Sequence, residues 1–400
     1  MTVLITDAEY KNALAITRAL GRKGLTVYTA GKKNTAQTFY SKYSEKHFVY
    51  SHPQRKPEQF KKEILAIVKR NEIEVLMPVG IGPCTLISQE KEKLEKFTKV
   101  PLATYDVFQR VHNKEEVNRM AVKNNIPAPL TIAPKNIQEL KKGLKKFQFP
   151  VVIKARKGSS TRQVRYAKSK DEALTIWKEF TKQGKDDKTG IIDRSQPLIQ
   201  EYLPGEIIDV VFIFNKGEPR GVVSQRRELT FPVSGGSGAL NRTVFEPKVI
   251  QNAIKLLKAF KWHGVGMAEF KRDKNGVAKI IEVNPKFWGT TECAISAGMN
   301  FPHMLYELAV NGDTKPHFRF LNNKPFGWPI PMGMNTALNS KYPLKVLFKY
   351  LRLLGYAYST DIALLDDPKP FAIQLQNMSK IILQKFSPKN FLRKLKGKNT

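Results

Sequence analysis

The chain opens with short apolar runs separated by amphipathic stretches. Val3-Leu4-Ile5 predicts a strand, Ala13 to Leu20 a helix that ends near Gly21 and Gly24, and Leu25-Thr26-Val27-Tyr28 a second strand. Glu63 to Asn71 reads as helix and Val75-Leu76-Met77 as a third strand, leading into Pro78-Val79-Gly80-Ile81-Gly82. Strand and helix in alternation predict a parallel, doubly wound sheet over residues 1 to 105, with ligands near the carboxyl ends of its strands. The loops after the strands argue against NAD binding. The first strand runs into Thr6-Asp7-Ala8-Glu9-Tyr10 rather than Gly-x-Gly-x-x-Gly, and the second ends in Ala30-Gly31-Lys32 with no acid to hold a ribose.

From Asn113 the pattern changes. Asn113 to Asn124 predicts a helix with Lys114 in its first turn, where a cation opposes the helix dipole and needs some other partner unless it simply points into water. Phe149 to Ala155 predicts a buried strand whose single charge, Lys154, is costly there unless it faces an anion. The next loop, Arg156-Lys157-Gly158-Ser159-Ser160-Thr161-Arg162, offers main-chain N–H groups and hydroxyls that could cover phosphates. Pro197 to Glu206 reads as a strand ending in a Pro-Gly turn, and Ile207 to Asn215 and Arg220 to Gln225 continue as strands. Arg226 and Arg227 lead into the Gly-rich stretch 232 to 238, with Arg242 beyond it. That spacing predicts a closing lid that carries positive charge to a transferring phosphoryl group, or else solvated arginines on a hairpin edge.

Met267 to Gly289 is the most informative stretch. Two alternating runs flank Asn275-Gly276, a pair suited to a type I′ hairpin turn. If those two residues are the whole loop, Glu269 lies directly opposite Glu282 and Asn284 shares their face. A slip by an odd number of residues, without a bulge, would separate them. Like charges opposite one another weaken a hairpin. Two carboxylates and an amide oxygen on one face suit a hard divalent cation such as Mg²⁺; the alternative is a solvated hairpin face. Asn284-Pro285-Lys286-Phe287-Trp288-Gly289 adds a stiff aromatic exit that a plain surface hairpin does not need.

These residues resemble the metal-binding end of the ATP-grasp superfamily, whose ligases carry a Glu followed by Glu-x-Asn-Pro-Arg. The closest similarity is to the carbamoyl-phosphate-synthase-like branch, among ATP-dependent carboxylate–amine ligases. The resemblance extends in order over roughly residues 1 to 330 and implies a Rossmann-like N-terminal lobe over 1 to 105, then a two-lobed ATP-grasp fold over 106 to 330, together of α/β and α+β class. It implies Glu269, Glu282 and Asn284 as ligands of Mg²⁺ (or Mn²⁺) bridging ATP phosphates. Lys114, Lys154, Ser159 and Ser160 would contact phosphate. The backbones of Glu201 and Leu203 and the side chain of Gln200 would lie at the adenine, in a hinge near 200 to 206, with Glu206 on the ribose. Arg226, Arg227 or Arg242 would stabilise an acyl phosphate, and Lys286, standing where the family has Arg, would orient phosphate or the acyl group as a point charge rather than a bidentate fork. The implied partners are ATP and small carboxylate and amine substrates.

Composition adds a question that the motifs leave open. With 68 Lys and Arg against 35 acids, the 400 residues carry a net charge of +33, more than one nucleotide accounts for and of a sign that favours anionic partners. No nucleic-acid recognition module is present in the sequence, so no specific nucleic acid is expected. Two cysteines and six scattered histidines suggest neither disulfide framework nor zinc site. No apolar run reaches the roughly 18 residues of a membrane span, and Met-Thr-Val-Leu-Ile-Thr-Asp lacks a signal peptide's features, so a cytoplasmic chain is expected. Residues 331 to 400 read as a basic helical extension. Val346-Leu347, Tyr350-Leu351 and Leu353-Leu354 form a helical apolar stripe among Lys345, Lys349 and Arg352, and Met378 to Thr400 is basic without an acid. Such segments either pack as helices with a frayed tail or lie on an anionic membrane surface. Two further readings stand beside the ligase, a nucleotide-binding protein that has lost the chemistry and a binder of anionic polymers or membranes.

Overall fold

The computed structural model describes residues 1–158, 163–184, 189–231, 236–328, 333, 336–337, 339–340, 342–353 and 366–385. The N-terminal lobe comprises β1 (Thr2–Ile5), α1 (Lys11–Gly21), β2 (Thr26–Gly31), β3 (Lys46–Val49), α2 (Pro57–Arg70), β4 (Val75–Met77), α3 (Ile81–Gln89) and α4 (Lys91–Leu94). Its strands form one parallel sheet in the order β3-β2-β1-β4, as the alternation of strand and helix requires. β1 lies between β2 and β4, so the chain leaves it toward both edges and a crevice opens at its carboxyl end.

Helices α5 (Tyr105–His112) and α6 (Lys114–Lys123) lead into a small antiparallel sheet of β5 (Thr131–Ile132), β6 (Val151–Lys154), β7 (Val164–Ala167) and β8 (Leu198–Glu201), ordered β5-β8-β6-β7. Helices α7 (Ile137–Leu144) and α8 (Lys170–Gln183) cover this sheet, and Leu140, Leu144, Ala173 and Trp177 pack on Val151, Ile153 and Ile199.

The largest sheet holds β9 (Ile207–Asn215), β10 (Glu218–Phe231), β11 (Ser237–Thr243), β12 (Gly264–Arg272), β13 (Ala278–Asn284) and β14 (Pro325–Gly327), in the order β13-β12-β9-β10-β11-β14. Both faces of β9 are buried, which is why its sequence is apolar from Ile207 to Phe214 except for Asp209. Ile208, Val210, Phe212 and Phe214 join the core beneath α5, α6 and α9 (Pro247–Ala259). Val211 and Ile213 face a second core shared with Val3, Ile5, Val75 and Met77 of the N-terminal lobe, Phe287 and Trp288 after β13, and α11 (Phe301–Asn311), which follows α10 (Thr291–Ser296).

The hairpin β12–β13 keeps the expected pairing by another route. Its loop is Lys274-Asn275-Gly276, closed by the Asp273 N–H donating to the Val277 carbonyl at 2.9 Å. Within it only Gly276 (φ 80°) takes a left-handed backbone, so no type I′ turn forms. The Asp273 carboxylate accepts from the N–H groups of Asn275 and Val277, both at 2.9 Å, and that side-chain tie selects the three-residue loop. Alone, this odd slip would send the two acids to opposite faces. A bulge leaves Ile281 without a partner and restores the register, so that Glu269 faces Glu282 and Met267 faces Asn284.

Helices α12 (Pro343–Leu353) and α13 (Lys369–Lys385) complete the described chain. Ahead of α13, Asp367 is buried against the N-terminal lobe. Its carboxylate accepts from Arg18 Nε at 2.8 Å, Ser41 Oγ at 2.7 Å and the Lys42 N–H at 2.9 Å. Much of the basic run from 378 to 400 lies outside the described residues. No helix among the described residues is long and apolar enough to cross a membrane.

Candidate active site

The paired acids stand where the three sheets and α6 converge. Glu269 is buried on β12, and Glu282 and Asn284 lie on β13. The Asn284 amide donates to Glu269 Oε1 at 2.8 Å and to Glu282 Oε1 at 3.0 Å, holding both carboxylates from one point. Their outer oxygens meet cations, Glu269 Oε2 with Arg227 Nη2 at 2.8 Å and Glu282 Oε2 with Lys114 Nζ at 3.3 Å. The pair is strongly polarised. Burial raises the Glu269 carboxyl, helped by the neighbouring Glu282 and Asp209 and only partly opposed by Arg227. Burial pushes Glu282 up as well, but Lys114 and Lys154 outweigh it and hold that carboxyl below its usual range.

Each surrounding cation has a traceable origin. Asn113 caps α6 by accepting the Glu115 N–H at 3.0 Å, which fixes Lys114 at the first helical position. Lys114 is buried and donates to the Gly158 carbonyl at 2.7 Å, while the Gly158 N–H donates to His112 Nε2 at 3.1 Å. Gly158 is thus gripped on both sides, immediately before Ser159 and Ser160, which fall outside the described residues. Lys154, at the end of β6, is buried and donates to the Ile281 carbonyl at 2.8 Å. Burial lowers it to about 7 even though Glu282 pulls the other way.

Arg227 does not belong to a lid. It lies on the long strand β10, clamped bidentately by Asp209 at 2.8 and 2.7 Å, and it donates to the Gly236 carbonyl at 2.9 Å. Burial works against its charge, but Asp209 and Glu269 outweigh burial and raise its pKa. Arg226, next on the same strand, points the other way, 3.6 Å from Glu206 and 3.9 Å from Glu228. Arg242 on β11 bonds Glu228 at 2.5 Å and Asn323. The Gly-rich stretch expected to move with them lies partly outside the described residues, at 232 to 235.

In the hinge, Gln200 Nε2 donates to Thr131 Oγ1 at 2.9 Å, and the Glu201 N–H is taken by the Leu130 carbonyl at 2.9 Å. The Glu201 carboxylate bonds Lys279 at 3.0 Å, Leu203 is buried, and Glu206 pairs with Arg272 at 3.1 Å. Lys286 follows β13 with no ion pair among the described residues. Burial lowers its pKa, opposed by Cys84, Glu269, Glu282 and Asp7, so one ammonium senses both the acid pair and the crevice at β1.

Asp209 is the site residue that the sequence reading passed over. An acid inside Ile207-Ile208-Asp209-Val210-Val211-Phe212 was the available signal, since a buried strand tolerates a carboxylate only beside a cation. The donor set fits a divalent cation, with two carboxylates gathered on one face by an amide that, turned over, presents its oxygen. No group of three or more His, Cys, Asp or Glu able to hold a metal occurs among the described residues, so phosphate or water oxygens would have to complete such a site.

A parallel lobe, a small antiparallel lobe and a larger sheet, with acids and lysines facing each other where they meet, define an ATP-grasp fold. The comparisons agree. Residues 193–323 match the family model "ATP-grasp in the biosynthetic pathway with Ter operon". The chain is 23% identical to a D-aspartate ligase of Enterococcus faecium over 296 residues, 70% of this chain and 66% of that protein. It is 24% identical to a pyruvate carboxylase of Komagataella pastoris, spanning only 19% of that protein. Among solved structures, a Campylobacter jejuni biotin carboxylase with β,γ-ATP superposes with a TM-score of 0.68 at 17% identity, over 81% of this chain and 74% of that one. The Staphylococcus aureus N5-carboxyaminoimidazole synthetase with ADP gives 0.62 at 13% identity, over 81% and 80% of the two chains. The chain has the fold of these ATP-grasp structures, and its residues 193–323 match an ATP-grasp family model.

Proposed function

We propose that this protein is a cytoplasmic, ATP- and Mg²⁺-dependent ligase that activates a carboxylate as an acyl phosphate and passes it to an amine or similar nucleophile. One observation carries the reading. Lys114 on α6 and Lys154 at the end of β6 converge on β13, reaching the Glu282 carboxylate and the Ile281 carbonyl beside Glu269 and Asn284. That arrangement gathers cations and metal-ligating oxygens around a space suited to a polyphosphate. The D-aspartate ligase relative and the likeness to an L-amino acid ligase of Bacillus licheniformis support an acid and an amine as substrates.

In this reading the substrate carboxylate attacks the γ-phosphorus and ADP departs. The amine then attacks the acyl carbon, phosphate leaves, and the amine loses a proton. Glu269, Glu282 and Asn284 would hold Mg²⁺ (or Mn²⁺), which would supply charge neutralisation to the transferring phosphoryl group. Lys114 and Lys154 bind phosphate oxygens, and Ser159 and Ser160 cover them. The hinge at Gln200, Glu201 and Leu203 takes the adenine, and Glu206 exchanges Arg272 for the ribose. Lys286 orients the acyl group. Arg227 fixes Glu269, and one arginine of the set Arg226, Arg227 and Arg242 stabilises the acyl phosphate. Catalysis rests on positioning and electrostatics, so no histidine or cysteine nucleophile is needed.

The test is ADP release with MgATP across a panel of acids, with hydroxylamine as the nucleophile to trap any acyl phosphate as a hydroxamate. Acid-dependent ADP and hydroxamate in equal amounts are expected. MgATP binding with ADP release that no acid accelerates would leave a nucleotide-binding protein without the ligase step.

A further inference from the structure

The helix α12 divides its own apolar stripe. Val346 and Tyr350 are buried with Leu240 and Ala337, and the Tyr350 hydroxyl donates to the Ala239 carbonyl at 2.9 Å. That side fixes the helix on the edge of the large sheet, where it also touches β14. The opposite side is exposed. Leu344, Leu347 and Phe348, spaced to share a face, are 71%, 48% and 64% exposed. Lys345 and Lys349 are exposed beside them, and the stretch 341 to 353 contains no acid.

We propose that this face of α12 docks the protein on an anionic membrane surface. Exposed leucine and phenylalanine flanked by lysine is the composition of a helix that lies in the headgroup boundary, with the apolar side chains inserted and the ammonium groups at the phosphates. Complementarity of charge selects this occupant. A second copy of the chain would bring the same lysines against themselves, in a molecule whose net charge is already +33. An anionic bilayer attracts both the local lysines and the whole protein. The face belongs to the extension beyond the ATP-grasp lobes, so docking leaves the cleft free and places the enzyme at an interface. The inference does not depend on the ligase reading.

The net charge alone would draw any such protein to anionic vesicles, so the experiment separates charge from insertion. The full chain is sedimented with vesicles of phosphatidylcholine and of phosphatidylcholine mixed with phosphatidylglycerol, as wild type, as L344S/F348S and as K345E/K349E. The wild type is expected to bind only the mixed vesicles, and L344S/F348S to bind them at least roughly tenfold more weakly at unchanged net charge. The MgATP-induced rise in melting temperature serves as the control that each variant is folded. Undiminished binding of L344S/F348S would overturn the proposal in favour of diffuse charge attraction. Absence of vesicle binding, with a dimer that L344S/F348S dissolves, would overturn it in favour of self-association.

Discussion

Lys154 donates from Nζ to the main-chain carbonyl of Ile281, 2.8 Å away, and Ile281 is the bulge residue that brings Glu269 opposite Glu282. One contact therefore joins the smaller lobe to the irregularity that assembles the acid pair. It ties the position of a buried ammonium to the strand that carries Glu282 and Asn284, and so sets the register between the two halves of the cleft.

Glu282→Gln removes one negative charge from the pair and the partner of Lys114. In the wild type, MgATP at ~100 times its dissociation constant is expected to stabilise the fold by about 2.7 kcal/mol, and ATP with EDTA by much less. The variant is expected to lose the magnesium-dependent part of that shift. Thermal unfolding with MgATP, with ATP plus EDTA and without ligand reads it directly, and an unchanged magnesium effect would place the metal elsewhere.

Arg227→Ala leaves Asp209 and Glu269 buried without their shared cation. Breaking a buried ion pair from one side costs about 3–5 kcal/mol, so the urea midpoint should fall steeply. Arg226→Ala, at a half-exposed ion pair on the adjacent position, should change it little. Equal effects from the two neighbours would contradict the opposite roles assigned to them.

Gly266→Ala tests how tightly β12 is packed behind the site. A Cβ there would stand 2.7 Å from the Phe212 ring and 3.0 Å from the Asn284 carbonyl. Overpacking of this kind costs about 1–3 kcal/mol. Because the displaced carbonyl belongs to Asn284, MgATP affinity should weaken along with stability, and a stable variant with full affinity would show that the strand yields freely.

Glu292, on α10, supplies a pH dependence away from the cleft. Burial raises its carboxyl from 4.5 to about 7, with Arg18 and Arg22 pulling the other way, and Oε1 has no hydrogen-bond partner. An acid raised on folding is protonated longer in the native state. Its contribution is complete below pH 4.5 and is lost as pH rises toward about 7. Glu292→Gln should therefore raise the melting temperature at pH 8 relative to wild type, by an amount equivalent to a few kcal/mol, and change it little at pH 4. A Gln variant equally stabilised at both pH values would remove the titration account.

Much of this was legible because it is local. The apolar periodicities located β1, α1, β4, α6, β6 and β9 to within a few residues, and the alternation of strand and helix required the parallel lobe. Lys114 and Lys154 were marked by the cost of placing a cation at a helix start and at the end of a buried strand; Lys114 has its anion in Glu282, whereas Lys154 meets the neutral main-chain carbonyl of Ile281. The opposition of Glu269 and Glu282 was also readable, although a two-residue turn is not what produces it. Arg226 and Arg227 looked alike in sequence, as did Val346 and Leu347, which the fold buries and exposes respectively.

What the chain alone determined is where charge and apolar surface lie along it and which elements that pattern favours, because propensity, capping and periodicity act over a few residues. Only the tertiary structure decided which side of each element faces what. Asp273 chose a three-residue loop, and the Ile281 bulge compensated for it. Asp209 turned Arg227 into the support of Glu269 while Arg226 went to Glu206, and contact with β11 and β14 sent one side of α12 outward. The Asp273 loop is itself local, tied two and four residues along the chain. The other outcomes depend on more distant partners, 18 residues away for Arg227 and Asp209 and 111 for Tyr350 and Ala239, and their energies exist only once the sheets have closed on one another.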